Sequence, residues 1–349
     1  MTTSPSAKNV LILGGTSWLG GELVRVAVAA GHEVTCLARG ESGEVPEGAR
    51  LVRGDRSRPD AYAGLPASAR WDLVLDLTRQ PGHARGALAA LSDRVDHWVL
   101  VSSGSVYADH SVIGADLTTP LLPAFEGGES QPAQYGEAKV ACEAAVMAYR
   151  GDDALIARSG LIAGRGDRSD RFGYWVGRFA LAQEDGHPVV VPETIDQPAQ
   201  LIDVVDLAQW LVGAGLDGTT GIVDACGARR TLREVVDVAK GAAGFTGEVV
   251  PLSDETLLGA GIEEYMGPRS LALWLHDPAW AAFSARSTES AERAGLLSRD
   301  LTETTRAALD TEREMGLDRA GRQAGLDRAD ELALLAIRGS RRELNDYGE

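Results

Sequence analysis

Residues 8–20 read Lys8-Asn9-Val10-Leu11-Ile12-Leu13-Gly14-Gly15-Thr16-Ser17-Trp18-Leu19-Gly20, and no other stretch limits the fold as much. The apolar run before Gly14 suits a strand covered on both faces. A glycine turn follows, and then a helix start. Glycines let the backbone approach a ligand closely, and a helix start aims N–H groups and a positive dipole end at it. Such a turn is a place to hold a dinucleotide pyrophosphate. Gly14, Gly15, Thr16, Ser17, Trp18, Leu19 and Gly20 are therefore expected to contact a cofactor. An ordinary strand-to-helix turn has the same local appearance, so the rest of the chain must decide.

Downstream, apolar runs alternate with helical patterns. Strands are expected over residues 10–13, 33–37, 51–52, 73–77, 98–102 and 154–157, and helices over 19–30, 84–95 and 135–149. Gly31 is placed to close the first helix in a left-handed conformation. This alternation predicts an α/β fold with a doubly wound parallel sheet, whose ligands sit at the C-terminal strand ends. Residues 1–160 and 196–245 are assigned to the dinucleotide-binding domain. Residues 161–195 and 246–349 are assigned to a smaller, mostly helical substrate lobe, and the polar end over 340–349 is expected to be loose.

Tyr135 and Lys139 lie four apart, so a helix puts them on one face. A free phenol ionises near pH 10, and a nearby ammonium and a cationic nicotinamide both favour the phenolate. Ser103, at the end of a strand, is placed to hydrogen-bond a reacting oxygen. Together with the glycine turn, these three residues point to carbonyl–alcohol redox chemistry: Tyr135 moves the proton, Lys139 tunes it and contacts the nicotinamide ribose, and Ser103 aligns the oxygen. The second strand ends in Leu37-Ala38-Arg39-Gly40, without the acidic residue that would bind an adenosine ribose diol. Arg39 can pair instead with a 2′-phosphate, which favours NADP over NAD. Asp55 either contacts adenine or caps its own turn.

The chain carries a net charge of -17, which opposes binding to a polyphosphate such as DNA or RNA. Three cysteines (Cys36, Cys142 and Cys226) and six histidines show no ligand spacing, so no metal is expected. Without an apolar leader or a long apolar run, a soluble cytoplasmic protein is expected.

Four segments together resemble the extended short-chain dehydrogenase/reductases, the NAD-dependent epimerase/dehydratase family. They are residues 13–20, Val101-Ser102-Ser103-Gly104-Ser105-Val106-Tyr107, Tyr135-Gly136-Glu137-Ala138-Lys139, and Leu201-Ile202-Asp203-Val204-Val205-Asp206-Leu207-Ala208. The resemblance spans most of residues 8–245 and implies a Rossmann domain, NADP or NAD as cofactor, and the roles given above for Ser103, Tyr135 and Lys139. The implied reaction is reduction or epimerisation at a hydroxyl- or carbonyl-bearing carbon of a small molecule, a nucleotide sugar or a secondary metabolite. A homodimer built on the helices over 84–95 and 135–149 is also implied.

Three departures stand out. Ser17 occupies the family's middle glycine position. Gly104 and Ser105 replace the Asp-Glu pair of the sugar-nucleotide 4,6-dehydratases, which argues against elimination of water by their route. Arg158-Ser159-Gly160 stands where relatives often have proline, and Ser159 is expected beside the nicotinamide. Residues 108–131 form a long Pro/Gly-rich segment that is either a substrate wall or a surface excursion. Arg165, Arg168 and Arg171 either hold an anion or are neutralised by Asp167 and Asp170. Tyr174, Trp175, Trp274 and Trp280 are expected mainly in the core of the small lobe. The rival reading is a non-catalytic nucleotide- or RNA-associated protein on the same scaffold.

Overall fold

The computed structural model describes residues 6–41 and 43–346, with side chains to residue 337; the last three residues of the expected loose end lie outside the described residues. The chain opens with β1 (Asn9–Leu13), α1 (Trp18–Ala29), β2 (Glu33–Ala38), β3 (Ala49–Arg53), β4 (Trp71–Asp76), α2 (Pro81–Leu91), β5 (Val95–Ser103), α3 (Tyr135–Arg150) and β6 (Ala154–Ser159). It continues with β7 (Leu161–Ala163), α4 (Gly173–Asp185), β8 (Val189–Pro192), β9 (Pro198–Asp203), α5 (Val204–Leu216) and β10 (Gly221–Ala225). The remainder is β11 (Arg229–Thr231), α6 (Leu232–Ala243), β12 (Val249–Leu252), α7 (Asp254–Gly259), β13 (Glu263–Tyr265), β14 (Ser270–Ala272), α8 (Glu289–Arg293), α9 (Leu301–Met315) and α10 (Arg328–Asp346).

Seven parallel strands form the main sheet in the order β10-β6-β5-β4-β1-β2-β3. Val10–Leu13, Leu73–Leu75 and Trp98–Leu100 are wholly buried, as strands sandwiched between helices must be. Helices α1 and α5 cover one face, and α2 and α3 cover the other. The order reverses between β1 and β4, so the ends of β1, β4 and β5 border one crevice.

The second core gathers α4, α6 and α9 around Trp175, Phe179, Val236 and Trp274. The segment 196–245 thus serves both cores: α5 and β10 lie on the main sheet, while β11 and α6 pack into the small lobe. The helical C-terminal part also holds three short strands, β12, β13 and β14. Tyr174, Trp175 and Trp274 are buried in this lobe, whereas Trp280 is 45% exposed and stacks on His110. The expected helix over 84–95 begins earlier, at Pro81, because proline is well placed in a first turn. It stops at Leu91, and Val95 opens β5.

Candidate active site

The glycine turn is shaped by contact. Gly14 has φ +105°, a conformation costly for any side chain. A Cβ on Gly20 would stand 2.2 Å from the Gly14 carbonyl oxygen, and one on Gly15 would stand 2.4 Å from Cys36 Sγ. These close approaches leave a bare-backbone cradle ahead of α1, and a dinucleotide pyrophosphate fits such a cradle. Ser17 fills the middle glycine position without strain, at φ -75°. It is the N-cap of α1: its Oγ accepts from Gly20 N at 3.2 Å and donates to Gly14 O at 2.8 Å. Thr16 is half-buried and Leu19 is buried. Trp18 is half-buried against the core beneath α1, and its Nε1 donates to Arg165 O at 2.8 Å, so the 164–171 loop lies over the start of α1.

Lys139 is the best-defined catalytic candidate. Its side chain is buried, and Nζ donates to Thr78 O and Val101 O, each at 2.7 Å. These carbonyls belong to the turn after β4 and to β5, so α3 is pinned at the crevice. Tyr135 opens α3 with a half-buried ring whose centroid is 5.9 Å from Lys139 Nζ. Ser103 ends β5, and its Oγ donates to Ser105 Oγ and accepts from Ser105 N, both at 3.2 Å. Ser159 is paired in register with Ser103 across β5 and β6, and its buried Oγ has no hydrogen-bond partner among the described residues. The structure thus brings Ser103, Tyr135, Lys139 and Ser159 to one end of the sheet.

The adenosine end is less built. Arg39 is exposed and pairs with Glu41 at 3.1 Å. Arg53 lies beside it, its Nη1 donating to Arg39 O at 3.0 Å. The Asp55 carboxylate accepts from both the amide and the hydroxyl of Ser57. These bonds, the amide first, hold Asp55 below the usual carboxylate range and tie it to its own turn.

The contacts behind the site escaped the sequence reading, although Arg158 stood out there as a departure from the family. Glu143 follows Lys139 by one helical step of four, and it accepts from Ser102 Oγ at 2.5 Å and from Arg158 Nη2 at 2.7 Å. Arg158 Nη1 donates to Tyr107 Oη at 2.9 Å, and Tyr107 donates to Asp224 Oδ1 at 2.7 Å. Arg286 Nε donates to Asp224 Oδ2 at 3.2 Å, and its guanidinium carbon lies 3.4 Å from the Tyr107 ring centroid. Burial, and then the neighbouring Asp224, push the Tyr107 phenol up. Burial raises Asp224 in turn, although Arg286 and Tyr107 oppose it. On the other flank, Arg56 holds Asp76 through two bonds at 2.7 and 2.8 Å, and Asp76 caps Thr78 N at 3.0 Å. The chain Arg56–Asp76–Thr78 therefore fixes the carbonyl that holds Lys139. A carboxylate on the inner face of α3 and an arginine ending an apolar strand were the available signals; a backbone acceptor leaves none.

The 108–131 segment is fastened to the small lobe. Ala282 N donates to His110 O and Gly114 N to Ala285 O, each at 2.7 Å, and Ser287 N donates to Ala115 O at 3.0 Å. The three arginines of 165–171 do not act together. Arg165 pairs with Glu22, Arg168 is exposed, and Arg171 Nε reaches Ser169 Oγ at 3.2 Å. Asp170 turns away to Arg319 and Arg322, so it does not neutralise Arg171 as a solvated neighbour would. Among the described residues, no three His, Cys, Asp or Glu gather as a metal site, and no helix is long and apolar enough to cross a membrane.

Comparison with known proteins settles the family. The NAD dependent epimerase/dehydratase family matches residues 10–218. The chain belongs to that family. Over 158 residues it is 35% identical to 2'-dehydrokanamycin reductase of Streptomyces kanamyceticus, spanning 44% of this chain and 42% of that one. It is 25% identical over 252 residues to the chloroplast stem-loop binding protein of 41 kDa b of Arabidopsis thaliana, spanning 68% of this chain and 60% of that one. The chain thus matches less than two thirds of the length of either curated relative. Among solved structures, the UDP-glucuronic acid 4-epimerase of Bacillus cereus in complex with NAD superposes with a TM-score of 0.63 at 14% identity, covering 88% of this chain and 99% of that one. At that identity the likeness concerns the fold.

Proposed function

We propose that this protein is a nicotinamide-dependent reductase or epimerase acting at a hydroxyl- or carbonyl-bearing carbon of a sugar-like small molecule. One observation carries the reading: Lys139 is held by two carbonyls beneath Tyr135, at the same sheet end as Ser103 and the glycine cradle. Two of its three ammonium protons are spent on those carbonyls, which leaves one for the nicotinamide ribose or the phenol. Gly14, Gly15 and the start of α1 hold the pyrophosphate, and Ser159 borders the nicotinamide. The bound nicotinamide supplies or accepts a hydride. Ser103 aligns the substrate oxygen, Tyr135 Oη gives up or takes its proton, and Lys139 holds the ribose and stabilises the phenolate. Reduction is favoured over epimerisation by the match to 2'-dehydrokanamycin reductase and by Arg39, which suits NADP. The 108–131 segment carries four carboxylates and no Lys or Arg, and read as a substrate wall, together with the net charge of -17, it favours a neutral or cationic substrate.

A second, non-catalytic reading draws on the Arabidopsis relative, but the chain's acidity and the intact Ser103, Tyr135 and Lys139 weigh against it. The test is Tyr135→Phe. NADPH binding should persist in calorimetry, while turnover of a keto-sugar panel with NADPH falls by about 10²–10⁴-fold, the usual worth of a general acid. Equal turnover in the variant and the parent would remove the assignment.

A further inference from the structure

We propose that Gln80 is a positioning residue for Tyr135, clamping the chain that enters α3, an inference that rests on Tyr135 being the group that moves the proton. Tyr135 is the first residue of α3. The first turn of a helix lacks intrahelical partners for its N–H groups and is where helices fray. Lys139 lies a full turn inside and has two carbonyl anchors of its own. The backbone at Tyr135 depends instead on the residues that lead into the helix.

Those residues are held by the start of α2. Gln80 is the N-cap of that helix, and its carboxamide grips the backbone of Ser130 on both sides. Its Oε1 accepts from Ser130 N at 2.7 Å, and its Nε2 donates to Ser130 O at 3.2 Å. The Ser130 hydroxyl donates to the same Oε1 at 3.2 Å. Two bonds act beside the clamp: Gly82 N donates to Gly128 O and Arg85 Nη2 to Gly127 O, each at 2.8 Å. Gly82 allows that approach, since a Cβ there would stand 3.0 Å from Gly128 O. From Ser130 the path to Tyr135 is short and internally bonded. Gln131 N donates to Gln134 Oε1 at 3.1 Å, Gln134 N donates to Gln131 O at 2.9 Å, and the Tyr135 amide closes on Pro132 O. On the far side, the start of α3 meets a stop: a Cβ on Gly136 would stand 2.3 Å from Ser105 O.

The same turn serves Lys139. Asp76 caps Thr78 N, Thr78 Oγ1 accepts from Gln80 N at 3.0 Å, and Thr78 O receives Lys139 Nζ. Residues 78 and 80 thus hold both members of the Tyr135–Lys139 pair, one through a carbonyl and one through a side chain. A carboxamide suits the second task because it carries a donor and an acceptor side by side, as a peptide group does. Methionine has a similar length but no donor and only a weak acceptor. A shift of about 1 Å at a reacting group costs up to about 100-fold in rate.

The test compares Gln80→Met with the parent, as full chains, in two measurements. In hydrogen exchange followed by mass spectrometry, amides of residues 130–137 should exchange about tenfold faster in the variant, while those of α6 keep the parent's rates. In turnover of the keto-sugar panel with NADPH, kcat should fall by about 10–100-fold with KM for NADPH within about threefold. Gly82→Ala, which presses on Gly128 from α2, should move both readouts in the same direction. Unchanged exchange over 130–137 in Gln80→Met overturns the clamp. Faster exchange with kcat retained means that the clamp orders the loop without placing the phenol, and it overturns the proposal as well. Tyr135→Phe keeps the two readings apart. Parent-like turnover in Tyr135→Phe removes the assignment of the proton carrier and the proposal with it, whereas an inactive Tyr135→Phe beside a fully active Gln80→Met overturns the role of Gln80 alone.

Discussion

Glu143 and Arg158 form a buried ion pair, Nη2 to Oε2 at 2.7 Å, directly behind the strand end that carries Ser103. Glu143 belongs to the helix face of Tyr135 and Lys139, and Arg158 to the strand beside β5. The pair sets the height of α3 on the sheet, and with it the position of the phenol. Removing one partner strands the other charge in the interior, whereas replacing both with apolar side chains does not. Glu143→Ala should cost about 3–5 kcal/mol in urea denaturation. The double change Glu143→Leu/Arg158→Met should cost much less than the two single changes summed. A single-variant loss below about 1 kcal/mol, the range of an exposed pair, would contradict this account.

Arg39 and Arg53 bear on coenzyme choice. Neighbouring parallel strands bring them together: Ala38 faces Arg53 in register, and Arg39 follows. A 2′-phosphate placed there would meet two guanidinium groups, with Glu41 as the one competing carboxylate on Arg39. Charge-assisted hydrogen bonds contribute about 1.5–3 kcal/mol, which corresponds to roughly 10–100-fold in affinity. Arg39→Ser and Arg53→Ser should each weaken NADPH by about that factor and change NADH by less than about threefold. Equal losses for both coenzymes in titration calorimetry would show that the two arginines do not read the phosphate.

What could be seen in the sequence follows from how local each feature is. The strand–turn–helix of residues 9–29 is specified by neighbours: an apolar run, two glycines and a capping serine. Tyr135 and Lys139 share a helix face by spacing alone. The buried charge chain from Glu143 to Arg286 is different, because Arg286 and Asp224 are 62 residues apart and meet only when the small lobe closes on the sheet. The carbonyls of Thr78 and Val101 are invisible for another reason: any residue offers the same acceptor. Asp170 illustrates the opposite error. Its sequence neighbours are arginines, yet its partners are Arg319 and Arg322, 149 and 152 residues away. Proximity in sequence is a poor guide to ion pairing in an irregular loop.

Ser17 and Gly20 should respond in opposite ways. Ser17 caps α1 and needs no unusual backbone angle, so Ser17→Ala should cost about 1 kcal/mol through the lost cap and leave coenzyme affinity within about threefold. Gly20→Ala places a methyl group 2.2 Å from the Gly14 carbonyl, and backbone there must shift. Coenzyme binding should fall below detection in calorimetry while the protein still unfolds cooperatively. Normal affinity in Gly20→Ala would show that the turn is not the pyrophosphate cradle.

Stability should fall on acidification well before Asp55, Asp109 and Asp116 titrate. His83, His97 and His110 each lie below the ordinary histidine value of 6.5, in every case chiefly because burial opposes the charged form. A histidine depressed in the folded state binds a proton more readily when unfolded. Its neutral form supports the fold above pH 6.5, and that support is lost as pH drops from there toward the folded value. Asp55, Asp109 and Asp116 are held low by turn hydrogen bonds, so their contribution fades only below about 3.8 and the two windows separate. His110 is the cleanest probe: it stacks on Trp280 with ring centroids 5.0 Å apart, with Phe283 edge-on, and Arg286 further opposes its charging while Asp109 favours it. His110→Phe keeps the ring packing and removes the titration. Its unfolding free energy should decline less steeply between pH 6.5 and 5 than that of the parent, by at most about 1.4 kcal/mol per pH unit, the limit for one proton. Parallel curves for the two proteins across that interval would show that His110 does not titrate differently on folding.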